Sequence, residues 1–356
     1  MYEFLTNLIG NEYIAVAIAV CLPLFLYILP YALFAVWFER KVSAFMQDRL
    51  GPMRTGKYGA LQTVADILKL FQKEDIVAKD TDKVLFNLAP ALVFAGSYAA
   101  FAAIPFASSF IGTDIDLGLF FILAVSSFAV AGILMAGWSS NNKYSLIGAM
   151  RSAAQMISYE IPAALVILTL VIAFGTLNLR VMSEQQTAFF WNWNIFGGAG
   201  LTLSKFLLIP FMLVAFIIYY ISSLAEVNRV PFDIPEAESE LVSGYHTEYS
   251  GMKFAMFFLA EYVNMFAVSA IVSALFFGGY QSPIGYLGDL IGLKALVPYE
   301  QLFWFSSKGI FFVFVQMWLR WTLPRVRVDQ LMAICWKYLI PYAFVNLLIV
   351  GLISLI

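Results

Sequence analysis

Carboxylates gather in this sequence where its composition leaves little room for charge. Residues 226–249, EVNRVPFDIPEAESELVSGYHTEY, carry six carboxylates and one cation, Arg229, in a chain that is 62% hydrophobic and 12% charged. Two more acids, Glu160 and Glu261, lie inside apolar runs, where a lone charge costs at least about 2.5 kcal/mol unless it is paired, protonated or hydrated. Desolvation and mutual repulsion both favour the protonated carboxyl. Such groups exchange protons near neutral pH, so the sequence indicates a proton relay.

The acidic segment, residues 226–249, also interleaves its acids with apolar residues such as Val230, Phe232 and Ile234. That pattern is typical of a segment buried against a helix bundle or a partner. Pro231 and Pro235 prevent one continuous helix, and irregular backbone near membrane depth is tolerated where it lines a cavity. We therefore expect these acids to line an enclosed, hydrated chamber rather than to extend into the cytosol.

The remaining residue types argue against other chemistries. The formal net charge of −2 gives no sign of nucleic-acid binding. Cys21, Cys335 and the single histidine, His246, are far apart in the sequence, so neither a disulfide framework nor a metal site is expected. No nucleophile–base pair, phosphate loop or dinucleotide fingerprint occurs.

Hydropathy predicts the element type that must position these acids. The mean hydropathy is +0.82, and eight stretches are long enough to cross a bilayer, which takes about 20 apolar residues. The acids near the start, in MYEFLTNLIGNEY, do not suit a signal peptide, so the first span is expected to be retained. The fold class is therefore an all-α polytopic transmembrane bundle forming one integral domain over residues 1–356. The predicted spans are Tyr13–Phe38, Val84–Phe106, Leu117–Gly137, Ile157–Thr176, Leu201–Ser223, Phe254–Gly278, Phe305–Trp321 and Tyr338–Ile356.

Basic residues predict the orientation of the bundle. The connections after the first, third, fifth and seventh spans hold 17 of the 21 Lys and Arg residues, counting Arg320 at the end of the seventh span. By the positive-inside rule these connections face the cytoplasm and both termini face outward. The acidic segment is then cytoplasmic. The predicted cytoplasmic loops are residues 39–83, 138–156, 224–253 and 322–337.

The first cytoplasmic loop contains an amphipathic pattern at helical spacing. It predicts a helix that lies on the membrane surface and roofs an opening into the bundle. Just before the loop, Glu39 stands beside Arg40 and Lys41, which predicts a simple ion pair with these neighbours. The apolar stripe of the helix is Leu61, Val64, Leu68 and Phe71, and the polar stripe is Gln62, Asp66, Lys69 and Lys73.

Glu160 is expected at depth in the fourth span. It lies nine residues, or ~13 Å at the usual helical rise, inward from Arg151. A hydrogen bond from Glu160 to a neighbouring helix is the structural alternative to a role in proton transfer. Ionisable groups inside a membrane are by default functional.

Several long motifs in this order resemble those of the H subunit of bacterial respiratory complex I, the counterpart of NADH dehydrogenase subunit 1 of mitochondria. The resemblance covers nearly the whole chain, without departure in these motifs, and the extra length lies mostly in outward loops such as LNLRVMSEQQTAFFWNWNIFGGAG. The motifs are ERKVSAFMQDRLGPMRTG, LQTVADILKLFQKED, AGWSSNNKYSLIGAMRSAAQMISYEIP, EVNRVPFDIPEAESELVSGYHTEYSGMKFAMFFLAEY and LPRVRVDQLMAICWKYLIP.

The resemblance implies a junction subunit between a hydrophilic arm and a membrane arm, with three groups of site residues. The positions that match the family's quinone-chamber entrance are Glu39, Arg40, Gln47, Arg49, Arg54, Asp66 and Lys69. Those that match its proton-coupling carboxylates are Glu160, Glu226, Asp233, Glu236, Glu238, Glu240, Glu248 and Glu261. Those that match its cationic loop are Arg325 and Arg327.

The same resemblance implies where the redox groups are held. Quinone is the substrate, whereas NADH, FMN and iron–sulfur clusters are expected in partner subunits, with no redox cofactor and no metal held by this chain. The expected partners are other membrane-arm and hydrophilic-arm subunits, quinone and the lipid bilayer, without nucleic acid. The expected location is the bacterial inner (plasma) membrane, as a multi-pass protein.

Three other functions stay open at the level of sequence. A stand-alone ion transporter would use the intramembrane acids as coupling-ion sites, although no internal repeat is evident. A non-catalytic anchor for a soluble complex would use these acids only structurally. The homologous membrane subunit of a membrane-bound hydrogenase would share much of the pattern without serving a quinone.

Overall fold

The computed structural model describes residues 11, 14, 18, 21, 23–200, 203–234, 241–288 and 292–355. Within these residues the chain is helical and contains no strand, as the run of long apolar segments predicts. The helices are α1 (Leu29–Met46), α2 (Gln62–Gln72), α3 (Lys83–Ala99), α4 (Gly118–Ser139), α5 (Lys143–Phe174), α6 (Leu179–Gln185), α7 (Leu203–Glu226), α8 (Gly251–Phe276), α9 (Val297–Thr322), α10 (Val328–Ala333) and α11 (Ile340–Ile353).

Seven helical stretches in the described part of the chain are long and apolar enough to cross a membrane. They correspond to the second to eighth predicted spans, which confirms a polytopic helical bundle. The first predicted span, Tyr13–Phe38, lies partly outside the described residues. Its described end continues through a π-helical turn, Leu24–Ile28, into α1.

Helix α5 is longer than the span predicted within it. It begins at Lys143, where the Asn142 side chain accepts a hydrogen bond from the Tyr144 amide at 2.9 Å, and ends before Gly175 in the left-handed region. Its 32 residues extend about 48 Å, well beyond the ~30 Å hydrocarbon core. One end of α5 therefore projects from the membrane, and the positive-inside rule predicts that it is the Lys143 end.

The surface helix α2 turns its apolar face away from the protein. Leu68 is 57% exposed and Phe71 63% exposed, whereas Asp66 on the polar stripe faces Arg40 of α1, with 2.6 Å between Oδ2 and Nη1. In water such an apolar face would be unfavourable, so its exposure fits a helix whose outer face contacts lipid.

Helix α8 is the centre of the bundle. It has the largest buried share of the seven spans, 67%, and packs against α3 and α9. Helices α8 and α9 approach each other closely at Gly309, where an added Cβ would lie 2.7 Å from the Phe266 ring. Glu261 of α8 and Arg320 of α9 are carried by these two helices, with side chains 21% and 35% exposed.

The described parts of the acidic segment, residues 226–234 and 241–249, pack against the bundle. Val230, Phe232 and Ile234 are all buried, and the 3₁₀ turn Gly244–His246 meets α5 so tightly that a Cβ at Gly148 would lie 2.8 Å from the Gly244 Cα. Residues 235–240 lie outside the described residues. Three predicted coupling carboxylates, Glu236, Glu238 and Glu240, belong to that stretch.

Candidate functional site

Glu39 forms the centre of a buried ion cluster near the predicted cytoplasmic end of the bundle. Its Oε1 lies 2.8 Å from Nη1 of Arg229 and also accepts a hydrogen bond from Arg320. Its Oε2 accepts a hydrogen bond from the Tyr262 hydroxyl at 2.7 Å. The partners come from α8, α9 and the acidic segment, so this carboxylate of α1 joins four parts of the fold.

Glu261 completes this inner ion cluster, defined as Glu39, Arg229, Glu261, Tyr262 and Arg320. Its Oε1 lies 2.7 Å from Nε of Arg229, whose guanidinium also stacks 4.8 Å from the Tyr262 ring centroid. Burial lowers the pKa of Arg229, but the carboxylates of Glu261 and Glu39 outweigh it and hold the pKa well above its usual range. The formal charges of the two acids, Glu39 and Glu261, therefore balance those of the two arginines, Arg229 and Arg320.

The predicted ion pair of Glu39 with its sequence neighbours is wrong. Arg40 pairs instead with Asp66, and Lys41 donates to the Leu50 carbonyl at 3.3 Å. The physical reason is the helix itself, because residues one apart on a helix do not face each other. Glu39 points into the bundle while Arg40 points to the surface helix.

A second acidic site lies beside the inner ion cluster, in a cavity of about 70 Å³. Glu160 of α5 and Glu226 at the end of α7 both line it, together with Asn264 of α8. Glu160 accepts a hydrogen bond from the Ser126 hydroxyl at 3.0 Å, and the Ser127 hydroxyl lies 3.4 Å away. Two carboxylates from different helices therefore line one cavity.

The acidic cavity is large enough for water and has mostly apolar walls. Its volume exceeds the ~10–15 Å³ that a single water molecule needs. Most of the wall is apolar, formed by residues such as Met156 and Ile271. Glu160 and Glu226 are thus two carboxyl groups from different helices at one largely apolar cavity.

One turn of chain connects the acidic cavity to the inner ion cluster. Val227, between Glu226 and Arg229, lines the cavity, and the Arg229 amide donates to the Leu224 carbonyl at 3.3 Å. Gln155 of α5 holds this turn from outside, since its Nε2 donates to Ala225 O at 2.8 Å and Phe232 O at 2.7 Å. Glu226 and Arg229 therefore lie three residues apart on one hydrogen-bonded turn.

The cationic loop contacts the acidic segment at two points. Nη2 of Arg325 lies 2.9 Å from Oδ2 of Asp233, and the Val326 amide donates to the Pro231 carbonyl at 3.1 Å. Arg327 is exposed at the start of α10, where its amide donates to the Gln330 side chain. Of the two predicted cations, Arg325 is the one seen to pair with a predicted coupling acid.

Glu248 stands apart from both acidic groups. Its Oε1 accepts a hydrogen bond from Nδ2 of Asn142, the residue that caps α5, at 2.7 Å. This bond ties the end of the acidic segment to the projecting end of α5.

The predicted entrance residues lie on α1, on α2 and in the loop between them. Besides the Arg40–Asp66 pair, Nε of Arg49 donates to the Gln47 side chain at 2.7 Å, and Arg54 and Lys69 are exposed. Glu39 alone of this set is buried in the inner ion cluster. The described residues contain no group of three or more His, Cys, Asp or Glu side chains placed to hold a metal.

Four residues of the site were not among the site residues predicted from the sequence: Arg229, Tyr262, Arg320 and Gln155. Arg229 had a signal, since it is the single cation among six carboxylates. Arg320, near the end of a span, matched ordinary positive-inside anchoring. Nothing local marks Tyr262 or Gln155, because their partners lie 223 residues away for Tyr262 and 70 to 77 residues away for Gln155.

Comparisons with known proteins agree with this architecture. The family model described as NADH dehydrogenase matches residues 18–351. The H subunit of NADH-quinone oxidoreductase from Chlorobium luteolum is 54% identical over 90% of this chain and 85% of its own length. Proteins of the same name are 51% identical in Chlorobaculum tepidum, covering 97% and 94%, and 48% identical in Bacteroides fragilis, covering 95% and 90%. The chain therefore belongs to the NADH dehydrogenase family, as a close relative of these H subunits.

Proposed function

We propose that this chain is the membrane subunit of a proton-translocating NADH:quinone oxidoreductase that encloses the quinone chamber and couples quinone reduction to proton transfer. The observation that carries the proposal is the contact between the inner ion cluster and the acidic cavity. Arg229 belongs to the first and Glu226 lines the second, three residues away. The relatives are subunits of NADH-quinone oxidoreductase, which supports this reaction, and the carboxylates that line the cavity support the coupling role.

The chamber entrance is proposed at the junction of α1, α2 and the loop between them. The exposed apolar face of α2 suits contact with lipid and with the apolar tail of a quinone. The polar stripe, through Arg40 and Asp66, faces the protein. A quinone that enters from the bilayer would thus pass from an apolar surface toward Glu39 and the buried charges.

Proton coupling follows from the charge balance of the reaction. Reduction of a quinone to a quinol takes up two electrons and two protons. The inner ion cluster is compensated, so a charge change beside it shifts the balance among Glu39, Arg229 and Glu261. Arg229 and Glu226 lie on one turn, which Gln155 holds by hydrogen bonds. A change in the charge balance around Arg229 would therefore act on Glu226 and on the protons that it shares with Glu160.

The partners and location follow from the proposed role. NADH, FMN and iron–sulfur clusters are proposed to be held in partner subunits of the hydrophilic arm. The acidic segment and the cationic loop, on the predicted cytoplasmic face, are the surfaces nearest that arm. Other membrane-arm subunits would contact the membrane-spanning helices. The proposed location is the bacterial inner (plasma) membrane.

The test compares carboxyl-to-amide variants in the assembled complex, in sealed vesicles. Glu226→Gln and Glu261→Gln are measured beside wild type for NADH:quinone turnover, NADH:ferricyanide turnover and proton uptake. We expect quinone turnover or proton uptake to collapse while ferricyanide reduction persists, since the latter does not need this chain. Asp116→Asn, on an exposed acid of the loop before α4, is the control. Normal values of all three readouts in both variants would show these acids to be structural.

A further inference from the structure

The projecting end of α5 presents large apolar side chains to the outside of the bundle. Leu146, Ile147 and Met150 are 37%, 46% and 58% exposed. The side of α5 that is turned toward the bundle carries small residues at this level, among them the buried Gly148 and Ala149. On a helix surrounded by water the large apolar residues are normally the buried ones. The two faces are therefore reversed here, which is typical of a surface that a partner covers.

This end of α5 lies beyond the hydrocarbon core of the membrane. The 32 residues of the helix exceed the ~30 Å core by about 18 Å, or roughly 12 residues. The turn Gly244–His246 of the predicted cytoplasmic segment packs beside it, where the Ser145 hydroxyl donates to the Tyr245 carbonyl at 3.4 Å. That contact places the same level of α5 at the predicted cytoplasmic surface.

The exposed apolar face continues from the projecting end into the membrane-spanning part of α5. Its residues follow alternating spacings of three and four, a seven-residue repeat with which two helices pack along each other. All of them are exposed in the isolated chain. We call this set the α5 stripe, and its members are Ile147, Met150, Ala154, Ile157, Ile161 and Leu168.

A groove of about 400 Å³ flanks the α5 stripe at the projecting end. Helix α5 forms one wall, and Val328 and Met332 of α10 lie on the other. Of the described residues that line the groove, Arg151 is the charged one and most of the others are apolar. An apolar helix face laid into such a groove gains affinity by burying its side chains there. A cation on that helix at the level of Arg151 would be repelled.

The extent of the α5 stripe decides what can cover it. Lipid chains can cover Ile157 and Ile161 within the core, but they do not reach Met150 in the projecting part. A soluble protein can cover Met150, but it does not enter the bilayer. A membrane-spanning helix that continues past the bilayer surface can cover both parts.

We propose that the α5 stripe and the groove beside it form the docking face for one membrane-spanning helix of a neighbouring subunit, which extends beyond the bilayer on the cytoplasmic side as α5 does. From Ile147 to Leu168 the two helices would pack over about 32 Å. The docked helix would lie beside Gln155, which lines the groove and holds the turn that carries Arg229. The inference rests on the proposed function, which makes this chain one subunit of a larger complex, and it names the face and the kind of element that meet.

The experiment is site-specific photo-cross-linking in the assembled complex in native membranes. Met150 or Ile157 is replaced by the photoreactive amino acid p-benzoylphenylalanine, and the cross-linked peptides are identified by mass spectrometry. We expect both positions to cross-link to the same subunit, each through a peptide of one membrane-spanning helix or its cytoplasmic extension. Phe71, on the exposed apolar face of α2, is the control position and should give no cross-link to that subunit.

Several results would overturn the docking face. They are cross-links from positions 150 and 157 to two different subunits, cross-links to a second copy of this chain, and lipid adducts or no protein adduct at position 150. NADH:quinone turnover and proton uptake of the unmodified complex test the proposed function separately. Expected cross-links in a complex that does not couple the two would refute the proposed function and leave the docking face in place.

A second measurement keeps the test valid if the photoreactive variants do not assemble. Met150→Asp places a charge in the α5 stripe, whereas Met150→Leu keeps an apolar side chain of similar size. We expect Met150→Asp to lower the amount of other membrane-arm subunits that co-purify with this chain by about tenfold, which corresponds to 1.4 kcal/mol, while Met150→Leu matches wild type. The level of this chain in the membrane is measured beside it. Wild-type co-purification of Met150→Asp would show that the α5 stripe docks no helix.

Discussion

Buried charges in the inner ion cluster are stable only as a group. Glu39 is 5% exposed and is met by two guanidinium groups and one hydroxyl, so most of its hydrogen-bonding capacity is satisfied inside the protein. Desolvation of each ion costs several kcal/mol, and the mutual attraction offsets this only while every partner is present. Loss of one partner therefore leaves an uncompensated charge in a dry site.

Glu39→Gln is expected to destabilise the assembled protein strongly. It leaves Arg229 and Arg320 with one carboxylate between them, and breaking such a buried arrangement costs about 3–5 kcal/mol. Asp66→Asn makes the same chemical change in the half-exposed pair with Arg40, which contributes at most about 1 kcal/mol. Thermal unfolding of the purified complex checks the difference. Equal midpoints for the two variants would show that the cluster contributes little to stability.

Close backbone contacts between elements position the acidic segment. Gly148 of α5 faces the backbone of Gly244 and Tyr245, with no flexible side chain between them that could move aside. The Cβ of any other residue at position 148 would displace the turn that precedes Glu248. The element that carries the acids is thus held by a helix surface rather than by its own fold.

Gly148→Ala is expected to impair quinone turnover and to cost about 1–3 kcal/mol, as overpacking does. The control is Gly351→Ala in α11, where the nearest atom to the added Cβ is 4.0 Å away. There alanine is the better helix former, by about 1 kcal/mol. Thermal unfolding and NADH:quinone turnover are the readouts. A Gly148→Ala protein as stable and active as Gly351→Ala would refute the close-contact account.

The surface helix α2 gives the second prediction at the scale of elements. Leu68→Asp places a charge on its exposed apolar face and removes a side chain that contributes about 1.5–3 kcal/mol when buried in lipid. The KM for a long-tailed quinone should rise roughly tenfold, since 1.4 kcal/mol corresponds to a factor of ten, while a short-tailed quinone is less affected. Gln72→Asp, at the polar end of the same helix, is the control. An unchanged KM for Leu68→Asp would remove α2 from the quinone path.

At the scale of the whole molecule, the spans were predictable and the ion contacts were not. Hydropathy located seven helices that the structure contains, because a bilayer demands length and apolarity of each span separately. Glu160 and Glu261 stood out because charge is rare in such runs. Glu39, in contrast, meets Arg229 and Arg320 across 190 and 281 residues of sequence. A single sequence does not show which distant residues pack together. The sequence neighbours of Glu39 therefore suggested the wrong ion-pair partners.

Orientation of the whole bundle is a separate prediction. Lys57 and Lys294 are both exposed, in connections that the positive-inside rule assigns to opposite sides. With a membrane-impermeant thiol reagent, Lys57→Cys should react only in inside-out vesicles and Lys294→Cys only in right-side-out vesicles. The unsubstituted chain, with Cys21 and Cys335, gives the background. Reaction of both cysteines from one side would contradict the predicted orientation.

The main function proposed for the acidic cavity is the transfer of protons that are coupled to quinone reduction. Its most direct test is the number of protons translocated per electron by the reconstituted complex with Glu160→Gln, beside wild type and Asp116→Asn. We expect a lower ratio for Glu160→Gln alone, with NADH:ferricyanide turnover unchanged, because an amide cannot exchange protons with Glu226. A wild-type ratio at wild-type quinone turnover in Glu160→Gln would contradict it.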